Sequence, residues 1–430
     1  MAHHRLFEWE ARRFDADDPV SVGEAERLVH AARAPAARLK GNQRAFDFGR
    51  DALTAQNLVG VVAAGDTSCE ILPKVDRDAP SDARQLRRQL IRMLDVAHDL
   101  PIADDTATAL DVQNDTILEI LIARFVELLE EAVRRGMPRS YRERAEDLPA
   151  LRGRLDVTRQ FTTLAVSPYR LACRYDEFSA DIPINQAMKA AVTRLRTLAR
   201  SRANQRALTE LGLLYADVSA VPPTSLAWHA IVPNRSNTRW LTLVRLAKLI
   251  LGDQFQNSAY GTVDGFALLF DMNALFERYV EKLLNPLART HGWSVKAQDG
   301  ARDCLHPEDG ANAVFATFPD IQLWRDGRVG LVIDTKWKRL ADRAGNPKMD
   351  VAQADVYQMM AYAQLYRCER LVLLYPHHGG LASPLPIHHR VAAPDGPVRL
   401  TIATVDLASH HSARAGLTSL LRERPLAAVA

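Results

Sequence analysis

The sequence is poor in cysteine. Cys69, Cys173, Cys304 and Cys368 are the only four in 430 residues; they lie far apart, and none sits in a CxxC pair. Such spacing gives no zinc motif and no disulfide framework, and it fits a reducing compartment. No run of about 18 apolar residues is present, so no membrane-spanning helix is expected. The opening "MAHHRLFEWEARRF" has no apolar signal core. A cytoplasmic protein with no membrane contact is expected. The chain also contains no Gly-Lys dipeptide. It therefore has no G-x-x-x-x-G-K-[ST] loop, and no P-loop nucleotide site is expected. No internal repeat is visible, and the His-His doublets at 3–4, 377–378, 388–389 and 410–411 read as surface.

An apolar content of 47% and a charged content of 25% describe a soluble globular chain. Its 430 residues exceed one ordinary core, so two or three domains are expected. The net charge of +3 hides an uneven distribution: residues 131–210 carry 16 Lys and Arg against 9 Asp and Glu. That basic stretch suits nucleic acid or an acidic partner. Arg194, Arg196, Arg200, Arg202 and Arg206 are its candidate contacts, and a solvated helix face is the plain alternative.

Patterning predicts a multidomain α+β chain. Residues 1–114 form a β-containing region: "LVGVVAAGDTSCEILPKV" gives two strands around the turn Gly65-Asp66-Thr67-Ser68. A helix follows, with Ser81 as its N-cap and Leu86, Leu90, Met93, Leu94 and Ala97 as its stripe. Residues 115–262 read as mostly helical. Asp115 caps a helix that Gly136 ends, and "YRERAEDLPALRGRLD" and "DEFSADIPIN" read as loops. Residues 263–430 alternate helices and strands, as a compact α/β domain does.

The informative stretch is "FPDIQLWRDGRVGLVIDTKWKRL", Phe318 to Leu340. Side chains on a strand alternate, so Val332, Asp334, Lys336 and Lys338 share one face. The apolar start argues for a strand covered on both sides whose charged end emerges at a cleft. A three-residue loop, Arg325-Asp326-Gly327, sets Asp320 against Val332, one diagonal step from Asp334. A two-residue loop with no compensating bulge pairs Asp320 with Ile333 and separates the carboxylates. Two converging carboxylates suit Mg²⁺, which keeps several waters. A metal-held water can attack a phosphodiester. Lys336 either helps to deprotonate that water or holds the scissile phosphate.

"FPD" and "DTK", with 13 residues between the two aspartates, resemble the PD-(D/E)xK nuclease signature. In "DVYQMMAYAQLY", Gln358 and Tyr362 resemble the Q-x-x-x-Y helix of RecB-like members. "ALFERYVEKLL" resembles the preceding helix, which often supplies an acid; Glu277 is the candidate and Glu281 its rival. Over about Leu58 to Pro376 the chain resembles the McrC family, nuclease subunits of McrBC-type modification-dependent restriction systems. The carrying segments include "RGMPRSYRERAEDLPALRGRLDVTRQF", "YDEFSADIPINQAMKAAVTRL", "LVIDTKWKRL" and "LLYP".

The resemblance implies a C-terminal PD-(D/E)xK nuclease domain. Asp320, Asp334 and Lys336 would carry Mg²⁺-dependent cleavage, with Asp320 and Asp334 as metal ligands and Glu277, Gln358 and Tyr362 in support. It also implies a separate McrB-like AAA+ GTPase hexamer as partner, docked through the N-terminal region and supplying the only GTP. The substrate would be double-stranded DNA with modified cytosine. A stand-alone RecB-like nuclease, and a non-cleaving adaptor that activates a partner NTPase, are the alternatives.

Overall fold

The structure is a computed structural model. It describes the chain except residues 1, 16–19, 40, 75–82, 101–115, 168, 233–237, 252–257, 261–262, 300, 309–311, 313, 382–384, 392–397 and 423–430. Ser81 and Asp115, the expected caps, lie outside the described residues. The chain divides into two compact units, Met1–Ile117 with Gln256–Ala430, and Leu118–Phe255. The N-terminal and C-terminal regions of the sequence thus share one unit.

That unit holds two large sheets. The first runs in the order Ala2–Phe7, Thr67–Leu72, Leu58–Ala64, Val263–Asp271, Ser258–Tyr260. Ala2–Phe7 is parallel to Thr67–Leu72 and the other pairs are antiparallel. The expected hairpin closes at Gly65-Asp66, and Thr67 already pairs with Ala64. Gly60 has φ +138°, and a Cβ there would lie 1.9 Å from the Leu268 carbonyl oxygen. Only glycine permits that approach. The helix Val22–Ala37 contributes Leu28, Ala31 and Ala32 to the core beside Leu58 and Val62. Its start is fixed by a capping box: Ser21 Oγ accepts from the Glu24 amide, and Glu24 accepts from the Ser21 amide at 2.9 Å.

The second sheet runs Ser294–Ala297, Ile321–Arg325, Arg328–Thr335, Arg370–Pro376, Val398–Val405, Ile387–Val391. Its three central strands are parallel. Parallel neighbours need a crossover, and the helix Gln353–Tyr366 lies on the connection between Thr335 and Arg370. Its Met359, Tyr362 and Tyr366 pack on Val332, Leu371 and Leu373. Helix Met272–Thr290 buries Leu275, Phe276, Tyr279, Val280, Leu283 and Leu287 at three- and four-residue spacing. Phe276 packs on Trp337 with ring centroids 5.5 Å apart.

The unit Leu118–Phe255 contains the helices Pro183–Leu198, Arg202–Leu214 and Leu241–Leu251. It also contains a sheet where loops were expected: Ser140–Leu148 and Arg154–Leu155 flank Leu171–Ser179. Ser140–Glu146 is exposed throughout, so it carries no apolar alternation to betray a strand. Cross-strand charge pairs hold it instead, such as Arg144 with Glu177 at 2.9 Å. The histidine doublets also differ from expectation, because His4 and His378 are buried. His378 Nε2 lies 2.9 Å from the Leu340 carbonyl oxygen. Among the described residues, no helix is long and apolar enough to cross a membrane.

Candidate active site

The hairpin that carries the two aspartates closes differently from the expected three-residue loop. Arg325 pairs with Arg328, leaving Asp326-Gly327 as a two-residue turn. Both have positive φ, 50° and 76°, the conformation that Asp-Gly adopts readily. Trp324 pairs with Val329 but Leu323 with Leu331, so Gly330 is an extra residue in the ladder. A Cβ on Gly330 would lie 2.5 Å from the Trp293 ring; packing against that indole requires glycine there. The bulge moves the register by one residue. Ile321 meets Ile333, and the next step sets Asp320 opposite Asp334 rather than diagonal to it.

Asp320 stands just before its strand, behind Pro319. Its Oδ2 accepts from the Thr335 amide at 2.7 Å and the Thr335 hydroxyl at 2.8 Å. Asp334 is 1% exposed, and its Oδ2 makes an ion pair with Lys336 Nζ at 2.7 Å. Lys336 Nζ also donates to Gln358 Oε1 at 3.2 Å. Gln358 Nε2 donates to the Tyr362 hydroxyl at 2.9 Å, and that hydroxyl donates to the Phe318 carbonyl at 3.2 Å. A continuous polar chain therefore runs from Asp334 through Lys336, Gln358 and Tyr362 to the residue two before Asp320.

Burial pushes the Asp334 carboxyl up to about 6, and the charge of Asp320 adds to the rise against the pull of Lys336. Burial alone would lower the Lys336 ammonium. Asp334, Asp355 and Asp320 outweigh it and hold its pKa above the ordinary lysine range. Lys336 is thus a fixed cation at neutral pH. Burial also raises the Tyr362 phenol, which keeps it a neutral donor.

Glu277 is one step removed. Its Oε1 accepts from Gln298 Nε2 at 2.8 Å, and the Gln298 amide donates to the Asp320 carbonyl at 3.1 Å. Asp355 escaped the reading of the sequence. It is 8% exposed, and its carboxylate oxygens lie 3.7 Å from Lys336 Nζ and 3.1 Å from Lys338 Nζ. The available signal was its spacing, three residues before Gln358 on one helical face. Glu8, from the N-terminal stretch, was equally invisible. Its Oε2 accepts from the Trp337 indole and the Lys74 amide, both at 3.0 Å. Burial pushes Glu8 up to about 7 despite both bonds. A cavity of ≈ 600 Å³ opens beside this pair, lined by Trp9, Lys74, Trp337 and Lys338 among others.

Asp320 and Asp334 are the residues fit to hold a divalent cation. Hard carboxylate oxygens suit Mg²⁺, and the buried Asp334 Oδ2 forms no hydrogen bond beyond its lysine ion pair. Among the described residues no group of three His, Cys, Asp or Glu gathers for a metal. Water or substrate oxygens would have to complete the shell, as they do for magnesium.

The family described as McrBC 5-methylcytosine restriction system component matches residues 53–376. The chain belongs to the McrC family. One similar solved chain comes from the refined half-complex of a tetradecameric assembly of Thermococcus gammatolerans McrB AAA+ hexamers with bound McrC. It is 20% identical with a TM-score of 0.74, over 98% of this chain and 99% of that one. A second comes from the cryo-EM structure of the Thermococcus gammatolerans McrBC complex. It is 23% identical with a TM-score of 0.52, over 66% of this chain and 87% of that one. At these identities the likeness speaks for a shared fold. No curated protein matches the sequence significantly.

Proposed function

We propose that this McrC-family chain is a Mg²⁺-dependent DNA endonuclease subunit with a PD-(D/E)xK nuclease domain in residues 263–430. Convergence of Asp320, Asp334, Lys336, Gln358 and Tyr362 at one end of a mixed sheet carries the reading. Asp320 and Asp334 would bind the cation, which supplies an activated water and neutralises charge on the phosphate. Lys336 keeps its proton, so its role is to hold a non-bridging phosphate oxygen rather than to act as base. Gln358 and Tyr362 fix the lysine from behind.

The partner we propose is an McrB-like AAA+ GTPase hexamer, and the substrate double-stranded DNA with modified cytosine. Within residues 1–114, the strands Ala2–Phe7, Leu58–Ala64 and Thr67–Leu72 are built into the first sheet. The middle unit exposes Tyr141 and Phe178, with ring centroids 5.1 Å apart, and also Phe161 and Tyr169. Exposed aromatics of this kind mark interaction surfaces. This unit is therefore a second candidate for the ring contact, beside residues 1–114.

The test is cleavage of methylated and unmethylated DNA by the chain with its GTPase, Mg²⁺ and GTP. Methylation- and GTP-dependent cutting that Asp334→Asn abolishes, with GTP hydrolysis still stimulated, is the expected result. Cutting by the isolated chain without GTP would point to a stand-alone nuclease. Full cutting by Asp334→Asn would overturn the catalytic assignment.

A further inference from the structure

We infer that Asp355 is a positioning residue that takes the Lys336 ammonium when a divalent cation occupies the Asp320–Asp334 carboxylates. The inference rests on the nuclease reading for the cation itself. It adds where the lysine goes, which decides whether lysine and cation work together or compete.

Lys336 Nζ stands 2.7 Å from Asp334 Oδ2, in direct contact with the carboxylate that would bind the cation. Two positive charges repel at such range, most of all at a buried group. The ammonium must therefore swing off Asp334 as the cation arrives. The groups within reach are Gln358 Oε1 at 3.2 Å and Asp355 Oδ1 at 3.7 Å. Gln358 offers a neutral oxygen; Asp355 offers the only other carboxylate paired with Lys336 among the described residues. Asp355 is buried and sits in the first turn of the Gln353–Tyr366 helix. Its other oxygen is held by Lys338 at 3.1 Å, so Oδ1 is kept facing Lys336. The lysine then moves by about an ångström or two, keeps its charge compensated, and stays beside the phosphate.

The experiment is Ca²⁺ titration calorimetry on the full chain, using wild type, Asp355→Asn, Lys336→Met and the double variant, each first shown to melt cooperatively. Lys336→Met should raise Ca²⁺ affinity, because it removes the competitor. Asp355→Asn should lower it about tenfold where Lys336 is present. With Lys336 replaced, only the small through-space effect of one lost charge should remain, about threefold or less. Asp355→Glu should restore most of the affinity. An equal fall with and without Lys336 would overturn the inference and leave the nuclease reading intact. Absence of Ca²⁺ binding in both wild type and Lys336→Met would overturn the metal reading and this inference with it.

Discussion

Glu70 and Asp334 are both buried carboxylates on strands of the same unit, and they are served in opposite ways. Glu70 accepts from Arg87 Nε at 2.9 and 3.0 Å, from Arg87 Nη2 at 2.6 Å and from the Ile117 amide at 2.9 Å. It is fully satisfied, with its counter-charge fixed in a bidentate pair. Asp334 has one lysine, shared with Gln358 and Asp355, and a second aspartate close enough to raise its pKa. Burial with complete compensation makes a structural pin. Burial with incomplete compensation leaves a group that gains from a cation.

The sharpest way to break this comparison is to neutralise each carboxylate system in turn. Asp334→Asn should lower DNA cleavage by about 10³- to 10⁴-fold, roughly 4–5 kcal/mol of barrier, in single-turnover assays. Arg87→Ala strands the Glu70 charge in the core. It should cost about 3–5 kcal/mol of stability, read as a shift of the urea midpoint, while the folded fraction still binds metal.

A pH series sharpens the same contrast. Asp334 rises from 3.8 to about 6 on folding, so the folded chain holds its proton more tightly than the unfolded chain. Its contribution to stability is intact below about pH 4, falls as pH rises through 6, and reaches a loss of roughly 3 kcal/mol above that. Without metal, Asp334→Asn should therefore be more stable than wild type at pH 8, with the difference vanishing near pH 4. A variant equally stable at both pH values would show that Asp334 is compensated as fully as Glu70. The smallest effect is Tyr362→Phe. It removes the hydroxyl between Gln358 and the Phe318 carbonyl, about 1 kcal/mol and a few-fold in cleavage rate.

Much of this site was legible, and the gaps have physical causes. The strand Arg328–Thr335 announced itself through Leu331-Val332-Ile333, because a strand covered on both faces is apolar at consecutive positions. The pairing of Asp320 was misread because the bulge at Gly330 answers to Trp293, a residue far away in sequence. Two departures from the expected hairpin, a shorter turn and an added bulge, leave the aspartates near each other by a different register. Strand Ser140–Leu148 was hidden because an exposed strand held by charge pairs has no apolar rhythm. Asp355 and Glu8 were hidden because their roles depend on Lys338 and Trp337, which folding brings to them.

The most direct test is Mn²⁺ binding followed by electron paramagnetic resonance on wild type, Asp334→Asn and Arg87→Lys. Mn²⁺ is a hard cation that shares magnesium's preference for oxygen ligands. Wild type and Arg87→Lys should each bind Mn²⁺ with matching spectra, and Asp334→Asn should lose the bound signal. Equal binding by Asp334→Asn and wild type would contradict the assignment of the cation to this carboxylate.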